Sequence, residues 1–209
     1  MRDLTVTIGR QNGSGGREVG KALAERLGVE CYDRSVIEGT ADRMGIPVED
    51  AERMEERART GSNLFFGGIP TANPLFEVQS DVIRSLASKG QCVFVGRCAD
   101  YVLSGRSDVL NVFITAPVPY RIRRSAERNG ISEKDAYARI SSKDRSREEY
   151  YLRYTGRRWA DSSNYHLTVD TGPVGIDGAV DLILAYMDLM HRRRLLRGDS
   201  DVTLSSRLP

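Results

Sequence analysis

A run of apolar and β-branched residues, Val6-Thr7-Ile8, breaks into Gly9-Arg10-Gln11-Asn12-Gly13-Ser14-Gly15-Gly16-Arg17-Glu18, and a helical pattern begins at once. The pattern is carried by Val19, Leu23 and Leu27, and Gly28 follows as a stop. A strand, a glycine-rich turn and a helix start in that order gather backbone N–H groups and the positive end of a helix dipole around one point. That arrangement suits an anion, and a phosphate above all. The plain alternative is a glycine turn with no ligand, because short glycine motifs recur without function.

The rest of the chain repeats the alternation. Strands are expected at Leu4–Ile8, Val29–Tyr32, Cys92–Val95, Val109–Thr115 and Leu167–Asp170. Helical patterns separate them, including Leu75–Ser88, one with Ile122 and Ala126 inside that starts near Tyr120, and Ile176–Met190. Alternation of this kind predicts right-handed crossovers and a five-stranded, mostly parallel sheet in an α/β fold. The 209 residues suit one such domain, residues 1–191, with a basic and polar tail from 192 to 209 read as frayed. Residues 47–60 are densely charged and, with i,i+4 pairs such as Glu49–Arg53 and Glu55–Arg59, read as a solvated helix. Residues 61–74 form a Gly- and Pro-rich loop carrying Phe65 and Phe66, which either pack on the core or cover a ligand.

Net charge is +2, from 31 basic and 29 acidic residues, so phosphate recognition should be local, with no nucleic-acid partner. No apolar run is long enough to span a membrane. Three cysteines without a C-x-x-C pair suggest buried thiols in a reducing, cytoplasmic setting. Two distant histidines argue against a zinc site.

The loop departs from the usual phosphate-loop pattern G-x-x-x-x-G-K-[ST], in which Lys neutralises phosphate and the hydroxyl holds Mg²⁺. In one register Arg17 takes the lysine place, Glu18 the hydroxyl place, and Gln11 the first glycine. In the other, Gly16 takes the lysine place and Arg17 the hydroxyl place. Arg can pair bidentately with phosphate, so Arg17 is the expected replacement cation. Ser14 is the only hydroxyl in the loop. Two further features follow at strand ends. Asp33 ends the second strand, either as a ligand contact or as a helix cap. Gly96-Arg97 ends the third, suiting a second phosphate or a structural ion pair. An Arg-rich region, about 120–160, has a capping-box start at Ser132 and then Arg139, Lys143 and Arg147 on one helical face, with Arg145 on another. Such a helix is by default a solvated face, and by position a lid over transferring phosphate.

Val6-Thr7-Ile8, Gly96-Arg97, Asp144-Arg145-Ser146-Arg147 and the closing Val169-Asp170 strand occur in the order seen in cytidylate kinases. Gly13 to Glu18 with Gly96-Arg97-Cys98-Ala99-Asp100-Tyr101 resembles the divergent cytidylate kinase-like proteins of bacteria more closely. The resemblance runs from Leu4 to about Met190. It implies a three-layer P-loop nucleoside-monophosphate kinase fold with a helical lid, ATP and Mg²⁺ as cofactors, and small-molecule nucleotides as partners. By match of motif, Gly13, Ser14, Gly15, Gly16, Arg17 and Glu18 would hold ATP phosphates, with Ser14 or Glu18 as candidates for the metal. Arg97, Asp33 and Asp144 would serve the acceptor, CMP or dCMP first, with Asp144 orienting an arginine or the base. Arg17, Arg145 and Arg147 would be catalytic. This chain has Arg17 where the cytidylate kinases have a loop lysine, and Cys98 where they have an Asp after Gly-Arg. A non-catalytic nucleotide-binding protein and a kinase of another small molecule are the alternatives on the same fold.

Overall fold

The structure is a computed structural model that describes residues 4–60 and 74–197. The loop expected at 61–74 lies outside them except for Pro74, and so do Phe65, Phe66 and residues 198–209. Five strands, β1 (Thr5–Arg10), β2 (Glu30–Tyr32), β3 (Cys92–Val95), β4 (Val109–Thr115) and β5 (Leu167–Asp170), form one sheet in the order β2-β3-β1-β4-β5. Every pairing is parallel. The chain leaves β1, builds β2 and β3 on one side, then crosses to β4 on the other. The crevice of a sheet of this type opens at the carboxyl end of the strand where that reversal occurs, here β1.

Eight helices cover the sheet among the described residues: α1 (Gly16–Leu27), α2 (Ser35–Met44), α3 (Val48–Thr60), α4 (Pro74–Ala87), α5 (Ala99–Val102), α6 (Val118–Asn129), α7 (Glu133–Thr155) and α8 (Thr171–Arg197). One apolar layer joins Val6, Ile8, Val112 and Ile114 to Val19 and Leu23 of α1 and to Val180 and Ile183 of α8. A second, on the opposite face, joins Phe94 and Val109 to Val36, Val82 and Ile83. Burying each such side chain contributes about 1.5–3 kcal/mol, which is why the apolar strands are central. α1 lies close because it carries glycine one turn apart. A Cβ at Gly20 would meet Val95 Cγ2 at 2.6 Å.

Three expectations need correction. The final helix does not stop near Met190 but continues to Arg197, and it breaks at Gly175, whose φ of 68° and ψ of −168° are not helical. The expected domain boundary at 191 therefore falls inside an element. In α6 the fully buried residues are Arg121 and Ser125, with Ile122 and Ala126 only half-buried. The charged helix α3 is not merely solvated, since Glu55 is buried. Arg53 there pairs with Asp50, three residues back, rather than with Glu49, four residues back. The capping box at Ser132 forms as expected: its Oγ accepts from Asp135 N at 3.1 Å. Cys92 and Cys98 are buried and Cys31 half-buried, none of them in a disulfide among the described residues. Loss of hydration pushes the thiols of Cys31 and Cys92 up to about 11. Among the described residues no helix is long and apolar enough to cross a membrane.

Candidate functional site

β1 outruns β3. Ile8 sits opposite Val95, the last residue of β3, while β1 continues to Arg10 beside β4. The loop then turns through Gly13 and Gly15, both left-handed at φ of about 81° and 82°. At Gly13 a Cβ would meet the Arg121 carbonyl at 2.8 Å, so this glycine is required by both conformation and space. Gly15 is the N-cap of α1 and makes no side-chain cap bond. The first N–H groups of a helix have no intrahelical partner, so they face the crevice as donors.

A cavity of about 410 Å³ opens there. Gly13, Gly15 and Gly16 form its floor. Arg10 comes from the end of β1, Arg17 from the first turn of α1, Arg97 from the turn after β3, Arg124 and Arg128 from α6, and Arg139, Lys143 and Arg147 from α7. Glu18, Asp33 and Glu55 are the carboxylates in the lining. Eight cations against three carboxylates make a local positive field in a chain whose net charge is only +2.

The turn after β3 is built differently. Gly96, Arg97 and Cys98 are all left-handed, at φ 80°, 60° and 55°. Two consecutive non-glycine residues there store strain that surrounding bonds must hold. Gly96 N–H donates to the Ile8 carbonyl at 3.0 Å. Arg97 Nε donates to the Asp33 carbonyl at 2.9 Å, and its Nη1 pairs with Glu55. Both side chains of that pair are buried, at 11% and 9% exposure. Gln79 also donates to Glu55 Oε1, at 3.2 Å. Beneath the turn Tyr151 donates to Asp100 Oδ2 at 2.6 Å, tying α7 to α5. Burial holds the Asp100 carboxyl above its ordinary range, and the Tyr151 bond pulls the other way.

Several expected residues fall in other places. Ser14 is fully buried, and its hydroxyl donates to the carbonyls of Gln11 at 2.9 Å and Ile114 at 3.2 Å. Its N–H donates to Gln11 as well. Ser14 therefore closes the loop on the sheet and is not among the residues that line the cavity. Glu18 lines the cavity but pairs with Arg124 at 3.3 Å and Arg128 at 2.6 Å. Neither candidate fits a metal ligand. Among the described residues no group of three His, Cys, Asp or Glu side chains could hold an ion.

Asp33 does not cap α2, which begins at Ser35 with no side-chain cap bond. Its carboxylate pairs with Arg17, whose side chain is 50% exposed. That bond, first among the causes, raises the Arg17 pKa above its ordinary value. Asp144 lies outside the cavity lining and bridges loop and lid: its Oδ1 accepts from Asn12 N at 2.6 Å and from Arg147 Nη1 at 3.1 Å. Arg121 pairs with its other oxygen. Asp144 thus ties Arg121 of α6 and Arg147 of α7 to the loop. Arg147 lines the cavity, whereas Arg145 is exposed and outside it, against the catalytic place its motif position implied. Helical periodicity likewise places the two on different faces.

Sequence reasoning missed Arg10, Glu55 and the arginines of α6. The spacing of Arg121, Arg124 and Arg128 was the available signal, since it puts three cations along one helical face. Glu55 left no signal within its own charged helix.

The sequence profile of the Cytidylate kinase-like family matches residues 5–173. The chain belongs to that family. A cytidylate kinase of Methanopyrus kandleri is 26% identical over 200 residues, covering 91% of this chain and 96% of its own. A solved structure of an uncharacterized protein from Eubacterium ventriosum superposes with a TM-score of 0.72 at 31% identity, covering 90% and 99% of the two chains. A gluconokinase from Sinorhizobium meliloti superposes at 0.55 with 16% identity, covering 94% of this chain and 98% of its own, a likeness of fold alone. The five-stranded parallel sheet with flanking helices is that of P-loop kinases. Family and fold together support a kinase of nucleotides or small molecules.

Proposed function

We propose that the protein transfers a phosphoryl group from ATP to a nucleoside monophosphate, CMP or dCMP being the first acceptors to test. The observation that carries this reading is the single cationic cavity that joins the loop of β1 to the turn of β3. One end offers the backbone donors of Gly13, Gly15 and Gly16. The other offers Arg97, held in one orientation by Glu55 and Asp33. A site for two phosphate groups needs two such ends.

Phosphoryl transfer asks the protein mainly for positioning and charge. An oxygen of the acceptor phosphate attacks the terminal phosphorus of ATP, and the bond to the bridging oxygen breaks to leave ADP. The loop holds the donor phosphates and Arg97 the acceptor phosphate. Arg124 and Arg128 from one side, with Arg139, Lys143 and Arg147 from the other, offset the charge spread over the transferring group. Asp144 keeps Arg147 aimed by accepting from it while fastened to the loop at Asn12. Mg²⁺ accompanies ATP in reactions of this class, but Ser14 and Glu18 do not fit as its ligands, and no step here is assigned to it.

The purified protein, given ATP with Mg²⁺ or Mn²⁺ and a panel of monophosphates, should convert CMP or dCMP to the diphosphate. Turnover with a different monophosphate alone would reassign the acceptor. Lack of turnover across the panel would overturn the nucleoside-monophosphate reading. The absence of lysine after Gly15 favours one other reading, a protein that binds nucleotide without transferring phosphate. Its signature is ATP-dependent thermal stabilisation with no transfer to any acceptor.

A further inference from the structure

The lysine place of the phosphate loop is occupied by a glycine, and a side chain from elsewhere fills the space above it. Gly16 is the first residue of α1. A Cβ built there would overlap Arg10 Cβ, with Arg10 Cγ at 2.9 Å. The Arg10 stem therefore lies where a side chain of residue 16 would begin. Its guanidinium runs on across the turn after β3. A Cβ at Gly96 would collide with Arg10 Nη1, with Cζ at 2.9 Å and Nη2 at 3.3 Å. Arg10 thus rests between two glycines, one at each end of the crevice, and it lines the cavity. Its backbone is held too, since its carbonyl accepts from Arg147 Nη1 at 3.4 Å.

The geometry points to Arg10, and not Arg17, as the cation that stands in for the missing loop lysine. In the register that ends Gly15-Gly16-Arg17, residue 10 is the first glycine of G-x-x-x-x-G-K-[ST] and residue 16 is the lysine. The chain has exchanged the two. Arginine stands at the first position and glycine at the seventh, and the side chain reaches back over the place its own glycine partner leaves open. Arg17 lies one residue further along α1, points to Asp33 and is half exposed. Arg10 offers a planar fork of donors to phosphate oxygens from the floor of the site, where lysine would offer a point charge. The glycine at 96 is then explained by the guanidinium above it as well as by its positive φ.

This inference rests on the loop being the donor site, and it is tested by nucleotide binding rather than turnover. Arg10→Met keeps the stem packed on Gly16 and removes only the charge. It should fold like the wild type and bind ATP about tenfold or more weakly, as expected for losing a charge-assisted contact. Arg17→Met should bind ATP within about twofold of wild type, since the Arg17 side chain is half exposed and already paired with Asp33. Gly16→Lys alone should lose thermal stability, because its side chain meets the Arg10 stem. Arg10→Gly together with Gly16→Lys restores the usual pattern and should recover both stability and ATP affinity. Wild-type affinity in Arg10→Met, or full stability in Gly16→Lys, would overturn the assignment. If Arg10→Met does not fold, failure of the double variant to regain ATP binding overturns it instead. Turnover by the wild type with ATP affinity insensitive to Arg10 sinks this inference alone. Arg10-dependent ATP binding without turnover sinks only the kinase reading.

Discussion

The turns after β1 and β3 end adjacent strands and face the same cavity, yet they hold their arginines by opposite means. After β1 the backbone is made of glycine. Gly13, Gly15 and Gly16 let the chain pass close to α6, α8 and the Arg10 stem, and the loop is fastened through Ser14 to the sheet. After β3 two ordinary residues, Arg97 and Cys98, take left-handed backbone, and the Arg97 side chain is anchored on buried Glu55. The first turn makes room for a ligand's backbone contacts. The second fixes one side chain in advance, with a carboxylate already against it. A donor phosphate read through N–H groups needs space, whereas an acceptor phosphate read by one guanidinium needs an oriented cation.

The comparison breaks most readily at Arg97. Arg97→Met removes the cation beside buried Glu55 and should cost about 3–5 kcal/mol in denaturant unfolding. Arg97→Met with Glu55→Met should recover most of that stability without restoring transfer to the monophosphate. Recovery of turnover in the double variant would show that Arg97 serves the fold and not the acceptor.

A smaller effect is expected at Gly13. Gly13→Ala places a Cβ on left-handed backbone, at about 1–2 kcal/mol, and drives it toward the Arg121 carbonyl. The ATP-dependent rise in melting temperature should shrink together with the melting temperature itself. If the melting temperature falls and the ATP effect stays whole, the loop is a structural turn and the contrast between the two turns fails.

The smallest effect belongs to Arg145. It is exposed and outside the lining, so Arg145→Ala should change stability by less than about 0.5 kcal/mol and turnover hardly at all. A tenfold fall in kcat, with Arg147→Ala as the reference, would return Arg145 to the site and show that α7 reorients during the reaction.

Much of this architecture was legible in the chain. The apolar strands, the glycine loop and the period of Val19, Leu23 and Leu27 follow from local pattern, because alternation and periodicity are properties of neighbours in sequence. The same holds for the shared face of Arg139, Lys143 and Arg147. Motif order located both turns, but it also promoted Arg145 and Ser14, because a motif names positions and not directions.

Where the charged side chains end depends on contacts made only in the folded chain. Glu55 sits among charged neighbours in α3, and nothing local separates it from them. It is buried because α3 packs beside α4 and the β3 turn, where Arg97 and Gln79 meet it. The hydroxyl of Ser14 turns inward because two carbonyls, Gln11 and Ile114, lie within its reach. Arg10 lies over Gly16 because parallel pairing carries β1 two residues past β3 and α1 returns directly above it. Local pattern alone puts a glycine loop at a strand end with arginines to follow. Which arginine fills the place of the missing lysine depended on the packing of a helix against a strand, a contact made only when the chain folds.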